Sequence, residues 1–248
     1  MLRLMSYNIR FGGVGREKRI ADVIRHCSPD IVLLQEATRE AGVAEIAKYA
    51  EMPHWGAKQG HSPAFVSRVA VDNFEWHHHR DMQRPFLEIR FAEGDLTLYN
   101  IHLRATHSNY TERGRMREVR ALLNAIKPAR DRFHLLVGDF NTLAPGELLN
   151  MQKLPMRYRI LAFLLGGRVT YRTIQIMLDA GYIDSYRRLS TDHGFTFPAW
   201  DPHARLDYMF IPKNFIDRVI SCEVVSDIPQ PAKATDHLPL VAEIGIKP

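Results

Sequence analysis

The sequence predicts a mixed α/β sandwich, and three observations point to it. Nine short apolar runs read as strands, and four longer amphipathic stretches fall between them. Strands and helices are interleaved along the whole chain rather than segregated into blocks. A Glu93-Gly94-Asp95 turn joins two adjacent strand runs as a hairpin, which an all-parallel sheet would not contain.

The elements follow in order. Leu2 to Phe11 alternates apolar and polar residues and reads as a first strand. Glu17 to His26 puts Ile20, Val23 and Ile24 on one helical face, and Ser28-Pro29-Asp30 breaks it. Ile31 to Gln35 is an apolar run ending in Gln35 and reads as a strand, Thr38 to Tyr49 a second helix, and Ala64 to Val71 a further strand. Phe86 to Phe91 and Leu96 to Leu103 form the hairpin. Thr111 to Ile126 carries Met116, Val119, Leu122, Leu123 and Ile126 at helical spacing and ends before Pro128. Strands follow at His134 to Val137, Leu206 to Ile211, Val219 to Val225 and Leu240 to Ile246, with a fourth helix over Thr170 to Ala180 closed by Gly181. His77-His78-His79 follows Phe74-Glu75-Trp76 and reads as a partly exposed strand.

Composition bounds the class. The chain has 248 residues, 46% of them apolar, without repeats or low-complexity linkers, and is read as a single domain over 1–248. No apolar run approaches the ~18 residues of a membrane span. The first residues lack a signal-peptide core, so the expectation is a soluble, cytoplasmic monomer. Cys27 and Cys222 lie in apolar surroundings and read as buried free thiols. The formal charge is +5, from 33 basic and 28 acidic residues. Lys153, Arg157, Arg159, Arg168 and Arg172 lie in the stretch 150–178, which holds no acid. The rest of the chain is therefore balanced, and the excess marks that segment for a polyanionic partner.

Polar residues end the strand-like runs. Asn8, Glu36, His102, Asp139, Asn141 and Asp207 each adjoin an apolar run, and Asp236 and His237 precede the last one. Strand ends meet at one rim of an α/β core, where ligand sites gather. The stretches Ser6-Tyr7-Asn8, Leu34-Gln35-Glu36, Asn100-Ile101-His102-Leu103, Gly138-Asp139-Phe140-Asn141, Arg205-Leu206-Asp207-Tyr208 and Thr235-Asp236-His237 resemble, in order, the endonuclease/exonuclease/phosphatase superfamily. That family includes DNase I-like nucleases, abasic-site endonucleases, sphingomyelinases and inositol-polyphosphate phosphatases. The resemblance implies a four-layer α/β sandwich, two packed mixed sheets flanked by helices.

It also implies metal-dependent phosphodiester hydrolysis. A hard divalent cation, Mg²⁺ or Mn²⁺, would neutralise a phosphate oxygen and needs only one or two protein carboxylates. Glu36 is the first expected ligand, with Asn8 beside it and Asp236 binding or orienting the same ion or a second one. His237 is expected on the scissile phosphate, with Asp207 fixing its tautomer. Asp139 is expected to orient or deprotonate the attacking water, Asn141 to hold it, and His102 to act as a second phosphate-facing histidine, a candidate general acid. Whether Asp139 or the Asp207-His237 pair is the base stays open.

The sequence departs from the family at two places. Gly60-His61-Ser62-Pro63-Ala64 replaces a Gly-Asn-Ala-like stretch, and Arg10 stands where some nucleases carry an acid. Arg10, Arg84 and Arg104 are candidate substrate contacts near strand ends. Arg113, Arg115, Arg117 and Arg120 read as a solvated helix face, with contact to a phosphate backbone as the alternative. The stretch 150–178 mixes its basic residues with apolar ones and reads as an insertion carrying substrate contacts, Arg157 and Arg159 among them. Nucleic acid is the favoured substrate. A lipid or small-molecule phosphoester at an anionic membrane surface is the alternative, and an inactive binding module the remote third.

Overall fold

Two six-stranded mixed sheets pack face to face in the computed structural model, which describes residues 1–91, 96–105, 109–147, 171–228 and 230–246. The first sheet contains β1 (Leu2–Asn8), β2 (Ile31–Gln35), β3 (His54–Gly56), β4 (Ala64–Ser67), β11 (Val219–Val224) and β12 (Leu240–Ile244), in the order β11-β12-β1-β2-β4-β3. The second contains β5 (Asn73–His77), β6 (Phe86–Arg90), β7 (Thr97–His102), β8 (His134–Asp139), β9 (Tyr182–Asp184) and β10 (Asp207–Pro212), in the order β5-β6-β7-β8-β10-β9. Each sheet has one parallel pair, β1 with β2 and β7 with β8; the other neighbours are antiparallel.

Strand periodicity sorts the side chains into layers. Leu2, Leu4, Ile31 and Leu33 of the first sheet meet Leu87, Leu98, Leu135, Val137 and Met209 of the second in the inter-sheet core. The opposite faces take helices. Met5, Tyr7, Val32 and Val66 pack on Ile20, Val23 and Ile24 of α1 (Glu17–Cys27) and on Val43 and Ile46 of α2 (Glu40–Tyr49). Tyr99, Ile101, Leu136 and Phe210 pack on Val119 and Leu122 of α3 (Asn109–Ala125) and on Ile174 and Met177 of α4 (Thr173–Asp179). Each such buried aliphatic contributes about 1.5–3 kcal/mol, so the four layers are fixed by the two-residue and 3.6-residue patterns read from the sequence.

The differences have local causes. β1 ends at Asn8 because Arg10 and Phe11 turn to φ 52° and 50°. β4 stops at Ser67, whose hydroxyl accepts the Val69 N–H at 3.2 Å. The tract of histidines is strand only as far as His77. The short strands β3 and β9, and the short helices α5 (Ser185–Leu189) and α6 (Pro231–Ala234), are too brief for periodicity to reveal. Arg115 departs from its expected solvated face: it is fully buried against Glu112, while Arg113, Arg117 and Arg120 are exposed. Cys27 and Cys222 are buried free thiols, as their neighbours predict. Residues 92–95, and with them the hairpin turn, lie outside the described residues, but Phe91 N–H reaches Leu96 O at 3.0 Å across it.

Candidate active site

The inter-sheet face changes character along each strand. It is apolar at its centre and becomes polar toward one end: Ser6 and Asn8 on β1, Gln35 on β2, Asn100 and His102 on β7, Asp139 on β8, Asp207 on β10. All are buried. Register aligns the last three. His102 lies opposite Asp139 in the parallel pair, and Asp139 lies opposite Asp207 in the antiparallel pair. Below them Gln35 Nε2 donates to Asn100 Oδ1 at 2.8 Å, and Asn100 Nδ2 donates to Leu34 O and Ala64 O, both at 2.9 Å. These bonds satisfy polar groups whose unpaired burial would cost several kcal/mol, and they tie the two sheets together beneath the site.

Asp139 is the hub. Its Oδ1 accepts the Asn141 N–H at 2.8 Å, and its Oδ2 accepts Asn8 Nδ2 at 3.0 Å. The same Oδ2 lies 3.8 Å from His102 Nε2 and 3.9 Å from His237 Nε2. His237 Nδ1 bonds Asp207 Oδ2 at 2.8 Å, which fixes the ring, and Phe197 packs against it at 5.1 Å. Asn8 Nδ2 also reaches Glu36 Oε1 at 3.3 Å, and Phe11 N–H donates to Glu36 Oε2 at 2.7 Å. Asp236 pairs with Arg10 at 3.2 Å, and Arg10 N–H donates to Asn8 Oδ1 at 3.0 Å. Glu36 and Asp236 therefore flank the same asparagine.

The backbone here is held in an unusual state. Arg10, Phe11, Glu36 and Asn141 all have φ between 50° and 56°. Such conformations cost about 1–3 kcal/mol each and persist only where surrounding contacts impose them. Four of the seven non-glycine residues with positive φ among the described residues sit around this one site. Gly138 has φ 141°, and a Cβ there would stand 2.0 Å from Ile101 O, so only glycine lets β7 and β8 approach where Asp139 emerges.

Charge is equally concentrated. Burial and the neighbouring Asp207 push the Asp139 carboxyl up to about 7, against the pull of His237 and its two hydrogen bonds. Burial alone would lower His237, but Asp207, then Asp139 and Asp236, outweigh it and lift the imidazole to about 10. Burial, with Arg84 and His237 nearby, holds His102 well below the usual imidazole value. His102 is thus neutral and His237 cationic near pH 7.

Every described residue expected at the centre is there: Asn8, Glu36, His102, Asp139, Asn141, Asp207, Asp236 and His237. Asn141 Nδ2 donates to Leu103 O at 3.1 Å. The arginines divide. Arg10 sits on the rim. Arg84 donates to Leu103 O at 3.1 Å, one residue from His102. Arg104 turns to the buried Glu118 at 3.3 Å. Arg157 and Arg159 lie outside the described residues, as does 150–170 of the insertion. Arg205 pairs with Asp184 and Glu147, leaving Asp207 to His237. Three contributors were not singled out by sequence. Ser62 Oγ lies 2.5 Å from His102 Nδ1 and accepts the Glu36 N–H at 2.9 Å. Thr235 donates to Asn8 O at 2.8 Å. Phe197 packs on His237. Ser62 stands in the stretch that departs from the family pattern, which was the only available signal.

The donor set fits a hard divalent cation. Glu36, Asp139, Asp207 and Asp236 supply oxygen ligands of the kind Mg²⁺ prefers. The Asp139, Asp207 and His237 donor atoms lie within 4.8 Å of one another. His102 Nε2 and Asp207 Oδ1 are buried without a hydrogen-bond partner among the described residues, which is the mark of groups awaiting a ligand.

A sequence profile described as the Endonuclease/Exonuclease/phosphatase family matches residues 5–237. The chain belongs to that family. Its members are phosphoric-ester hydrolases. Curated protein sequences give no match to the chain. Solved structures agree on the fold. A 3′-phosphatase from Neisseria with a product DNA hairpin superposes with a TM-score of 0.70 at 16% identity, covering 99% of this chain and 100% of that one. An AP endonuclease from Archaeoglobus fulgidus gives 0.70 at 17%, covering 98% and 99%. A family member from Beutenbergia cavernae gives 0.73 at 20%, covering 98% and 72%. The family's DNase I-like sandwich is the architecture seen here. No helix among the described residues is long and apolar enough to cross a membrane.

Proposed function

We propose that this chain is a divalent-metal-dependent nuclease, acting as a single domain on DNA or RNA phosphodiesters. One observation carries the reading: Asp139 Oδ2 stands within 4 Å of two imidazoles, His102 and His237, and shares Asn8 Nδ2 with Glu36.

In this reading Glu36, with Asn8 and Asp236 around it, holds Mg²⁺ or Mn²⁺. The ion, when bound, supplies neutralisation of the phosphate and of the leaving oxygen. His237, kept protonated by Asp207, contacts a non-bridging phosphate oxygen and stabilises charge that grows in the transition state. Asp139 takes the proton from the attacking water. Its elevated value suits a base working near neutrality, whereas the protonated His237 has no free lone pair for that task. As water adds to phosphorus, the bond to the leaving oxygen breaks. Asn141 holds the water. Ser62 accepts the Glu36 N–H and gives its own proton to His102 Nδ1, so His102 presents Nε2–H to the phosphate. His102 is assigned as a neutral donor, because its depressed value makes an imidazolium general acid rare. Arg10 and Arg84 lend positive charge along the rim. Nucleic acid is favoured over lipid by the overall charge of +5, by its concentration in 150–178, and by the fold shared with a 3′-phosphatase bound to a product DNA hairpin and with an AP endonuclease.

A substrate panel tests this. Single- and double-stranded DNA and RNA, and duplexes with an abasic site or a 3′-phosphate, are incubated with Mg²⁺, Mn²⁺ or chelator. A small phosphodiester and sphingomyelin vesicles run beside them. Metal-dependent cleavage of a nucleic acid is expected. Turnover of only the vesicles or the small diester rejects the nuclease reading and keeps the phosphodiesterase one. No turnover of anything rejects both.

A further inference from the structure

The tract His77-His78-His79 is not used by the chemistry above, and the three rings have separate fates. His77 Nε2 bonds Glu88 at 2.7 Å and its ring stacks on Phe86. His79 Nδ1 accepts the Asp81 N–H at 3.1 Å. His78 alone turns to the other sheet, where its Nε2 lies 3.1 Å from His61 Nε2.

We propose that His61 and His78 form a second metal site, a two-imidazole clamp for a divalent transition ion of the zinc, nickel and copper class. Two imidazole nitrogens bound at about 2.0–2.1 Å to one tetrahedral ion stand about 3.3 Å apart, and about 2.9 Å apart at a right angle. The observed 3.1 Å lies between. Imidazole suits these ions, and Mg²⁺ prefers oxygen, so the clamp and the carboxylate site select different metals.

The surroundings prepare His61 for this role. Its Nδ1 lies 3.3 Å from the Gln59 carbonyl, an acceptor that can only take a proton. That contact puts the ring hydrogen on Nδ1 and leaves the Nε2 lone pair facing His78. A ligating histidine is held by such a backbone bond in most metal sites. Trp76 packs edge-on against the His61 ring at 6.2 Å, and its indole N–H donates to Pro63 O at 2.9 Å. The segment 59–63 and the end of β5 are therefore already in contact, so little ordering is needed to bring the two rings together. His78 is exposed and His61 half-buried, which leaves water free to complete the ion's shell.

The clamp joins the two sheets at the end that carries the active site. His61 precedes Ser62, whose hydroxyl touches both His102 and the Glu36 N–H. An ion on His61 would restrain the segment that positions those two groups without touching the phosphate itself.

The test is calorimetric titration of Zn²⁺ into protein saturated with Mg²⁺, for wild type, His78→Ala, His61→Ala and the control His79→Ala. One Zn²⁺ per chain is expected for wild type and the control, and binding about tenfold weaker or more for His78→Ala and His61→Ala. With Cu²⁺ as probe, the EPR spectrum should report two nitrogens in wild type and one in His78→Ala. Three results overturn the proposal: no Zn²⁺ bound by wild type in Mg²⁺, equal affinity in His78→Ala, or equal loss in His79→Ala. In the first case the rings share only a hydrogen bond, and in the second the ion sits elsewhere. His78 is exposed and lies outside the strand, so its replacement leaves the fold intact and decides the matter even if His61→Ala unsettles the Ser62 segment.

Discussion

Replacing Asp139 with asparagine should make the metal-free protein more stable while removing its activity. The carboxyl is buried at 1% exposure and rises from 3.8 to about 7. At about 1.36 kcal/mol per pH unit, a rise of roughly three units corresponds to about 4 kcal/mol of disfavoured ionisation. An asparagine keeps one acceptor, for the Asn141 N–H, but turns its amide toward Asn8 Nδ2 and loses that bond, which offsets about 1 kcal/mol. A net gain on the order of 2–3 kcal/mol remains. The sign follows from proton linkage. The folded state holds the Asp139 proton more tightly than the unfolded one, so wild-type stability is fully retained below pH 4. It is lost as pH rises from there to about 7. The advantage of the variant should thus be greatest above pH 7 and shrink toward pH 4. Urea unfolding in chelator at pH 4.5 and pH 9 measures it. Turnover of the best substrate should fall by about 10²-fold or more, since a positioned proton acceptor is gone. A variant no more stable than wild type at pH 9, yet equally active, would refute both the crowding of charge at Asp139 and its role as base.

Asp207→Asn should leave only the weaker pull of Asp139 and Asp236 against burial at His237, whose value then drops from about 10 toward the ordinary imidazole value of ~6.5. Activity in wild type should fall as pH rises through about 10; in the variant it should fall from near neutrality. Nitrogen-15 NMR of the imidazole and the alkaline limb of kcat/KM both report this, and an unmoved limb would separate His237 from the reaction. Gly138→Ala should destabilise by roughly 3–5 kcal/mol through strain and overlap with Ile101 O; an unchanged Tm would contradict the close approach of β7 and β8. Mg²⁺ at a hundred times its Kd should raise stability by about 2.7 kcal/mol, reversed by chelator, and a Tm indifferent to Mg²⁺ would remove the ion from Glu36.

The strands β1, β2, β7, β8 and β10 were legible because alternation in β1 and apolar runs in the others are local signals, written by side chains that must face a core. The same is true of α1 to α3. The fourth helix starts at Thr173 rather than at Thr170, and Ile174 and Met177 pack as the pattern requires. What periodicity missed was short, such as β3 and β9. Arg115 was misjudged because a basic residue on a polar-looking helix turn gives no local hint that Glu112 will be buried beside it.

The candidate site was legible for a different reason. Polar residues at the ends of buried runs have no local purpose, and their ordered recurrence pointed to one centre. The sequence by itself determined which residues meet: Asn8, Glu36, His102, Asp139 and Asp207 each stand at a fixed parity on a strand or one step beyond it, and His237 stands three residues before β12. Only the tertiary structure decided what they become. Register placed Asp139 between His102 and Asp207; burial then kept His102 neutral, while the Asp207 partner outweighed burial and left His237 charged. Those shifts depend on solvent exclusion and on distances between strands far apart in the chain, and no single stretch of sequence encodes either.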